Sequence, residues 1–267
     1  MRVAQSLFKL NRLPIWARHV EVWGNRVTAT SLDRLVNLYL HHLHVRGEEE
    51  KRFLEKQVQL GMRVLDIGAN TGVYTLLLSR IVGNNGSVHA FEPEGSLFAS
   101  LRENCERNRA DNIQLHNIAL GRAAGTMKLY RSQVNSGDNR LARSEHPGWF
   151  EESEVRVASL DLLLPGERVD FIKIDVQGWE YQVFLGMERL LLENPRISIY
   201  LEYWPLGLRN AGCTPQECLR HLMARGFTLY LASGVHLERL GDIDLLTWSL
   251  RGQRCANLLA ARGRLDG

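Results

Sequence analysis

An aspartate near the end of an apolar run, followed by a turn bracketed by two glycines, is the part of this chain best suited to chemistry. The stretch reads Val64-Leu65-Asp66-Ile67-Gly68-Ala69-Asn70-Thr71-Gly72-Val73-Tyr74. Val64, Leu65 and Ile67 fit a buried parallel strand, and Val73 to Leu78 has helical potential beyond the turn. A strand, a glycine turn and a helix N-terminus make a nucleotide-binding unit. Gly68 and Gly72 let backbone approach a ligand closely, because no Cβ stands in the way.

The acid selects the ligand. A dinucleotide turn holds pyrophosphate on helix N–H groups and is usually free of acid, whereas a carboxylate at Asp66 repels phosphate and attracts an ammonium or sulfonium group. S-adenosylmethionine carries both cations. Asp66 and the backbone of Gly68 are therefore expected at its methionine end, with Ala69, Asn70, Gly72 and Tyr74 in the same cofactor set. Val88-His89-Ala90-Phe91-Glu92-Pro93 reads as the next strand, ending in an acid and stopped by proline. An acid about 20 residues beyond such a turn accepts hydrogen bonds from ribose hydroxyls, which assigns Glu92 to the ribose with Pro93 beside it. Asn117 and Ala119 fall where an adenine edge could lie.

Later strand ends supply a second group of chemical residues. Val169 to Ile174 is a strand leading into Asp175, and Ile197 to Tyr203 is a strand ending near Glu202 and Trp204. Open α/β sheets place their ligands at such C-terminal ends. Asp175 is the first candidate for acceptor-side work, as base or hydrogen-bond anchor, with a cofactor-side structural role as its alternative; Glu202 could join it in one pocket. Two carboxylates on neighbouring strand ends could also bind magnesium or calcium, although the spacing requires no metal. Asp138 and Arg140 could touch substrate from a polar loop, and Trp179 and Trp204 could stack on a sugar or aromatic ring.

These residues need a scaffold that presents successive strand ends side by side. Seven main strands separated by helices, the last two joined closely, imply an α/β, Rossmann-like, mostly parallel sheet with one antiparallel strand and helices on both faces. Residues 1–45 form an expected extension: a hairpin, His19 to Trp23 and Arg26 to Thr30 around Gly24-Asn25, then a helix through Leu35 and Leu43. The main domain is expected over 46–250. It opens with an amphipathic helix, Glu48 to Leu60, that faces Phe53, Leu54 and Val58 inward. Ser96 is placed to cap the helix after Glu92, and Ser159 to cap a short helix before the fourth strand. Met127 to Arg131 and Val155 to Ala158 look like paired extra strands flanking a lid-like loop over 132–153. Phe227 to Ala232 and Leu245 to Leu250 are expected as the last two strands, and 251–267 as a basic, fraying tail.

Composition narrows the class. The chain has 267 residues, of which 45% are hydrophobic and 24% charged, the profile of a globular domain. A formal charge of +3 gives no field that would predict nucleic-acid binding. No run of 18 apolar residues suggests a membrane span, and the start reads as cytoplasmic rather than secreted. Four scattered cysteines suggest neither a zinc knuckle nor a redox pair. His41, His42 and His44 point in different directions on a helix, so a polar face explains them better than a metal site. A homodimer through the N-terminal pieces is compatible with this composition.

With these residues in place, the chain resembles the FkbM family of class I S-adenosylmethionine-dependent methyltransferases. The resemblance rests on Val64 to Gly72, Phe91-Glu92-Pro93, Asn117 to Gly121, Asn135 to Arg140, Ser159-Leu160-Asp161 and Ile172 to Glu180, and spans roughly residues 45–232. It implies a seven-stranded Rossmann-like fold and methyl transfer, most often to a hydroxyl of a small molecule, sugar, lipid-linked glycan or polyketide-type natural product. The family usually carries glutamate where this chain has Gln177, which puts an acid role there in doubt. Two rival classes are a nicotinamide-dependent oxidoreductase, disfavoured by Asp66 and the missing third glycine, and a non-catalytic cofactor-binding scaffold.

Overall fold

The computed structural model describes residues 19–28, 45–132, 136–142, 150–252 and 254–262. The expected helix over 31–43, the three histidines at 41, 42 and 44, and Trp149 of the loop lie outside them. The hairpin is present as β1 (His19–Val22) and β2 (Asn25–Thr28). Trp23 and Gly24 form its turn with φ of 51° and 76°, so the bend falls one residue earlier than Gly24-Asn25. Two positive φ values in a two-residue loop match the right-handed twist of the flanking strands.

The remaining order is α1 (Val45–Gln57), β3 (Arg63–Ile67), α2 (Val73–Val82), β4 (Ser87–Phe91), α3 (Gly95–Arg107), β5 (Ile113–His116), β6 (Ala119–Leu120), β7 (Gly125–Ser132) and β8 (Phe150–Ala158). Then follow α4 (Leu160–Leu163), β9 (Phe171–Ile174), α5 (Glu180–Leu185), α6 (Glu188–Glu193), β10 (Ser198–Tyr203), α7 (Pro205–Asn210) and α8 (Pro215–Ala224). The chain ends through β11 (Thr228–Ser233), β12 (His236–Arg239), α9 (Ile243–Ser249) and β13 (Ala256–Ala261).

One sheet carries the order β12-β11-β13-β10-β9-β3-β4-β5. Strands β10, β9, β3, β4 and β5 run parallel, and β13 is antiparallel to both its neighbours. The mostly parallel α/β fold is as expected. The eighth strand, β12, is added by a hairpin with β11. Alternation along the parallel strands feeds two cores. Leu65, Ile172 and Ile199 pack with Phe184, Leu191 and Leu219 from the helices on one face. Val64, Phe171 and Tyr200 pack with Phe53, Leu54 and Leu78 on the other. Each fully buried aliphatic side chain contributes roughly 1.5–3 kcal/mol.

Four local expectations need correction. Leu245 to Leu250 is helical, not a strand, because the Asp242 carboxylate caps the N–H groups of Asp244 and Leu245. Residues 256–261 do not fray but form β13, paired on both sides by β10 and β11. Its small residues fit a strand buried between neighbours, so pairing overrides weak β propensity. Ser96 does not cap α3; Glu94 does, accepting from Leu97 N. Ser159 stands at the N-cap of α4, but its side chain makes no capping bond.

A second sheet, β6-β8-β7, carries the loop region. The antiparallel β7–β8 pair is the expected pair of extra strands. Residues Ser136–Asp138 form a 3-10 turn, and Arg140 bridges back to Tyr130.

Close packing fixes the turn after β9. Gly178 has φ of 95°, and a Cβ there would lie 2.3 Å from the backbone of Gly207. Gly212 also has a positive φ, of 77°, but a Cβ there meets nothing within 4 Å. Gly212→Ala is expected to cost about 1 kcal/mol from its left-handed backbone. Gly178→Ala adds a steric clash and is expected to cost about 3 kcal/mol. Urea unfolding of the two variants checks the difference, and equal losses would contradict it.

Candidate active site

The glycine turn keeps its donors for itself. Gly68 N and Ala69 N both donate to Phe91 O, at 3.0 Å each. Asn70 N donates to Glu92 Oε2 at 2.9 Å, Thr71 N to Asn70 Oδ1 at 2.8 Å, and Gly72 N to Ala69 O at 2.9 Å. Five successive N–H groups of the turn, residues 68–72, are thus committed and offer nothing to a pyrophosphate. This is a specific physical objection to the nicotinamide dinucleotide reading. Asn70 holds the turn with φ of 53°, and a Cβ at Gly68 would stand 1.9 Å from Asp175 O. Glycine there lets the β3 turn touch the end of β9.

A pocket opens above this contact. Of the residues expected at the cofactor, Gly68, Asn70, Glu92, Pro93, Ala119 and Asp175 line it. Arg140 and Trp179, expected at substrate, line it too. Glu92 is buried, and its two carboxylate oxygens accept from Asn70 N and Glu94 N. Burial pushes its carboxyl up to about 7 against those two bonds. Each oxygen keeps a lone pair, the chemistry that a ribose diol uses. Leu97, Ile118 and Leu120 give the pocket apolar walls suited to a purine. A nucleoside with a diol and no phosphate fits this donor set.

Other expected contacts lie elsewhere. Asp66 is fully buried beneath the turn and does not line the pocket. Its carboxylate accepts from Thr75 Oγ1 at 2.6 Å and faces Lys173 Nζ at 3.7 Å. Burial lifts the Asp66 carboxyl above its ordinary value, and Lys173 pulls it back. Its effect on a cofactor is therefore indirect. Ala69 and Gly72 sit below the lining surface, and Gly72 packs against Leu101. Tyr74 points to Glu50, to which its hydroxyl donates, and its ring lies 4.7 Å from Lys173 Nζ. Asn117 braces the rim by donating to Glu92 O at 2.9 Å and Pro93 O at 3.1 Å.

Beyond Asp175 lies a polar cluster on the strand ends. Register brings Asp66, Lys173 and Tyr200 into one row across β3, β9 and β10, so their side chains share a face. Lys173 Nζ is also 3.9 Å from Asp175 Oδ2. Burial pulls the ammonium down, but Asp66, Asp175, Glu50 and Glu202 together more than offset it, so Lys173 stays charged. Gln177 Nε2 lies 2.8 Å from Asp175 Oδ1 and 3.3 Å from Glu202 Oε2. Cys255 Sγ donates to Glu202 Oε1 at 3.0 Å. Burial first, then Asp175, pushes the Glu202 carboxyl up to about 7. Gln177 thus links Asp175 to Glu202, but only Asp175 lines the pocket, so the two acids do not share it. Trp204 is buried under the Arg140 guanidinium, 5.4 Å from its ring, and Asp138 lies outside the pocket lining.

The sequence reading gave no role to Lys173, Glu50 or Ile118, and noted Gln177 only as a departure from the family pattern. A lysine between two isoleucines of a buried strand was a readable signal, because such a charge needs a partner. Glu50, which accepts from Tyr200 at 3.2 Å and Asn257 at 2.8 Å, gave no local signal.

Glu180 holds the turn after Asp175. Its Oε1 accepts from Val176 N at 3.4 Å and Gly178 N at 3.2 Å, while Oε2 has no partner among the described residues. Burial pushes this carboxyl from 4.5 up to about 8. A raised acid binds more protons in the folded state, so its stabilising effect is present at low pH and is lost as pH rises towards 8. Stability is expected to fall between about pH 6.5 and 8 by about 1 kcal/mol or more from this group. Glu180→Gln, which keeps the acceptor oxygen, is expected to flatten that slope in urea unfolding at several pH values. An unchanged slope would contradict the assignment.

Comparisons with known proteins identify the family and the fold. A family model for the methyltransferase FkbM domain matches residues 66–221, more than half of the chain. Methyltransferase sdnD of Sordaria araneosa is 25% identical over 55% of this chain and 68% of its own length. Protein-L-isoaspartate O-methyltransferase 1 of Arabidopsis thaliana is 29% identical over 50% of this chain, which spans 54% of that protein. Among solved structures, a candidate rRNA methylase of Clostridium thermocellum aligns over 80% of this chain and 96% of its own, with a TM-score of 0.50 and 11% identity. That likeness concerns the fold. Among the described residues no helix is long and apolar enough to cross a membrane. The family match covers more than half of the chain, and the chain belongs to the FkbM family of S-adenosylmethionine-dependent methyltransferases.

Proposed function

We propose that this protein methylates a hydroxyl oxygen of an uncharged small molecule, sugar or natural product. The observation that carries the proposal is the Asp175–Glu202 pair at adjoining strand ends, immediately past the pocket that Glu92 closes. S-adenosylmethionine, when bound, supplies a methyl group on a sulfonium already activated for displacement.

The chain's own residues do the rest. Glu92 receives the ribose hydroxyls, while Leu97 and Ile118 flank the base and exclude water from it. Gly68 and Asn70 set how deep the cofactor sits. Asp175, which lines the pocket, would anchor the acceptor hydroxyl for a displacement that depends on close, aligned approach. Transfer of that methyl group to the acceptor oxygen would leave the acceptor's proton to be taken up by the protein. The acceptor's proton passes to the Glu202 carboxylate, whose raised range near 7 suits a base at neutral pH. Glu50, Asp175 and Glu202 outnumber Lys173 around this end, so a phosphorylated or carboxylated acceptor would meet repulsion where it approaches them, with Arg140 of the pocket lining as an opposing cation. Trp179 offers a flat wall for a ring.

A panel of alcohols, sugars, amines and carboxylates with methyl-labelled S-adenosylmethionine tests the proposal. The expected product is a methyl ether. Glu202→Gln is expected to lower kcat/KM by about 10²–10⁴ while S-adenosylhomocysteine still binds. In the wild type the rate is expected to fall as pH drops through about 7, where Glu202 takes up its proton. Labelling confined to nitrogen or carboxylate acceptors, or a fully active Glu202→Gln enzyme, would overturn it.

A further inference from the structure

A divalent cation between Asp175 and Glu202 is the natural suggestion of two carboxylates on adjacent strand ends. Their surroundings do not fit one. Each of the four carboxylate oxygens already faces a donor. Asp175 Oδ1 takes Gln177 Nε2 at 2.8 Å, and Oδ2 faces Lys173 Nζ at 3.9 Å. Glu202 Oε2 faces the same Gln177 nitrogen at 3.3 Å, and Oε1 takes Cys255 Sγ at 3.0 Å. Magnesium and calcium need a shell of oxygen lone pairs, and an amide NH₂ turned inwards supplies none. Among the described residues no group of three or more histidine, cysteine or acidic side chains is arranged to hold a metal.

The backbone is bent to put that amide there. Gln177 has φ of 53° and Gly178 has φ of 95°. Two successive left-handed residues are uncommon, and a non-glycine residue held so is constrained by its surroundings. Gly178 sits against Gly207, and Glu180 accepts from Gly178 N, so the bend is clamped from both sides. The result folds Gln177 back over Asp175 and across to Glu202.

We propose that Gln177 is a positioning residue whose amide ties Asp175 to Glu202 where a cation would otherwise lie, making the acceptor end metal-independent. The proposal rests on the methyltransferase reading of this site. Gln177 gives the two acids a fixed separation with one neutral bridge, and Lys173 carries the positive charge on the far side. Replacing the bridge by a carboxylate would put three acids around one point and turn the place into a cation site.

The test is terbium luminescence, excited through tryptophan, on full-length wild type and Gln177→Glu, each with S-adenosylhomocysteine present and with calcium as competitor. The wild type is expected to show no saturable, calcium-displaced signal up to about 1 mM terbium. Gln177→Glu is expected to bind terbium at least about tenfold more tightly. Gln177→Ala removes the bridge without adding charge, and a gain smaller than that of the glutamate variant is expected. It carries the test if the glutamate variant does not fold. Wild-type binding equal to that of the variants, or no gain in either variant, would overturn the assignment. Failure of the wild type to bind S-adenosylhomocysteine would instead strike the methyltransferase reading, and the terbium comparison would still judge Gln177.

Discussion

A single buried ammonium holds the two halves of this site together. Lys173 is 4% exposed and stands in the middle of the sheet, with Asp66 on one side and Asp175 above it. A charge so placed must keep its partners, because an uncompensated buried ion costs about 3–5 kcal/mol. Asp66 belongs to the strand that feeds the glycine turn, and Asp175 begins the loop that reaches the acceptor end. Lys173 therefore fixes the register of β3 against β9 at the level where ligands bind. The adjacent ring of Tyr74 and the hydroxyls donated to Glu50 extend the network to α1 and α2.

Backbone geometry then divides the labour. The turn after β3 spends its N–H groups on Phe91, Glu92 and its own atoms, so it forms a rigid wall rather than an anion cradle. In the proposed mechanism, recognition of the ribose diol falls to Glu92, which lines the pocket. Close contact between Gly68 and Asp175 O sets the cofactor wall directly beside the acceptor acids. The clamped turn at Gln177 and Gly178 then fixes how those acids face each other. Catalysis by positioning requires such stiffness, since misplacement of the reacting atoms by about 1 Å can cost about a hundredfold in rate.

Much of this was legible in the sequence. Apolar runs ending in Asp66, Glu92 and Asp175 announced parallel strands with acids at their ends, and the sheet confirms that order. Pairing of β7 with β8 was visible in two alternating runs. The C-terminal part was less legible. Leu245 to Leu250 fits strand and helix alike, and the deciding signal was one residue outside it, the capping Asp242. Ala256–Ala261 has little β propensity, and only its two neighbours in the sheet make it a strand. At the site, residue types pointed to strand ends that border the pocket but not to depth. Asp66 and Tyr74 are adjacent to the pocket in sequence yet lie beneath or behind it. The bridging role of Gln177 depends on a left-handed backbone that no local pattern announces.

The account stands on an adenosyl cofactor seated over Gly68 and held by Glu92. Calorimetric titration of S-adenosylhomocysteine into the wild type and into Glu92→Ala tests this most directly. The predicted result is binding in the range of about 1–100 μM by the wild type, weakened at least about tenfold when the carboxylate that meets the ribose is removed. Absence of binding to a folded wild-type protein, or equal affinity for both forms, would contradict it.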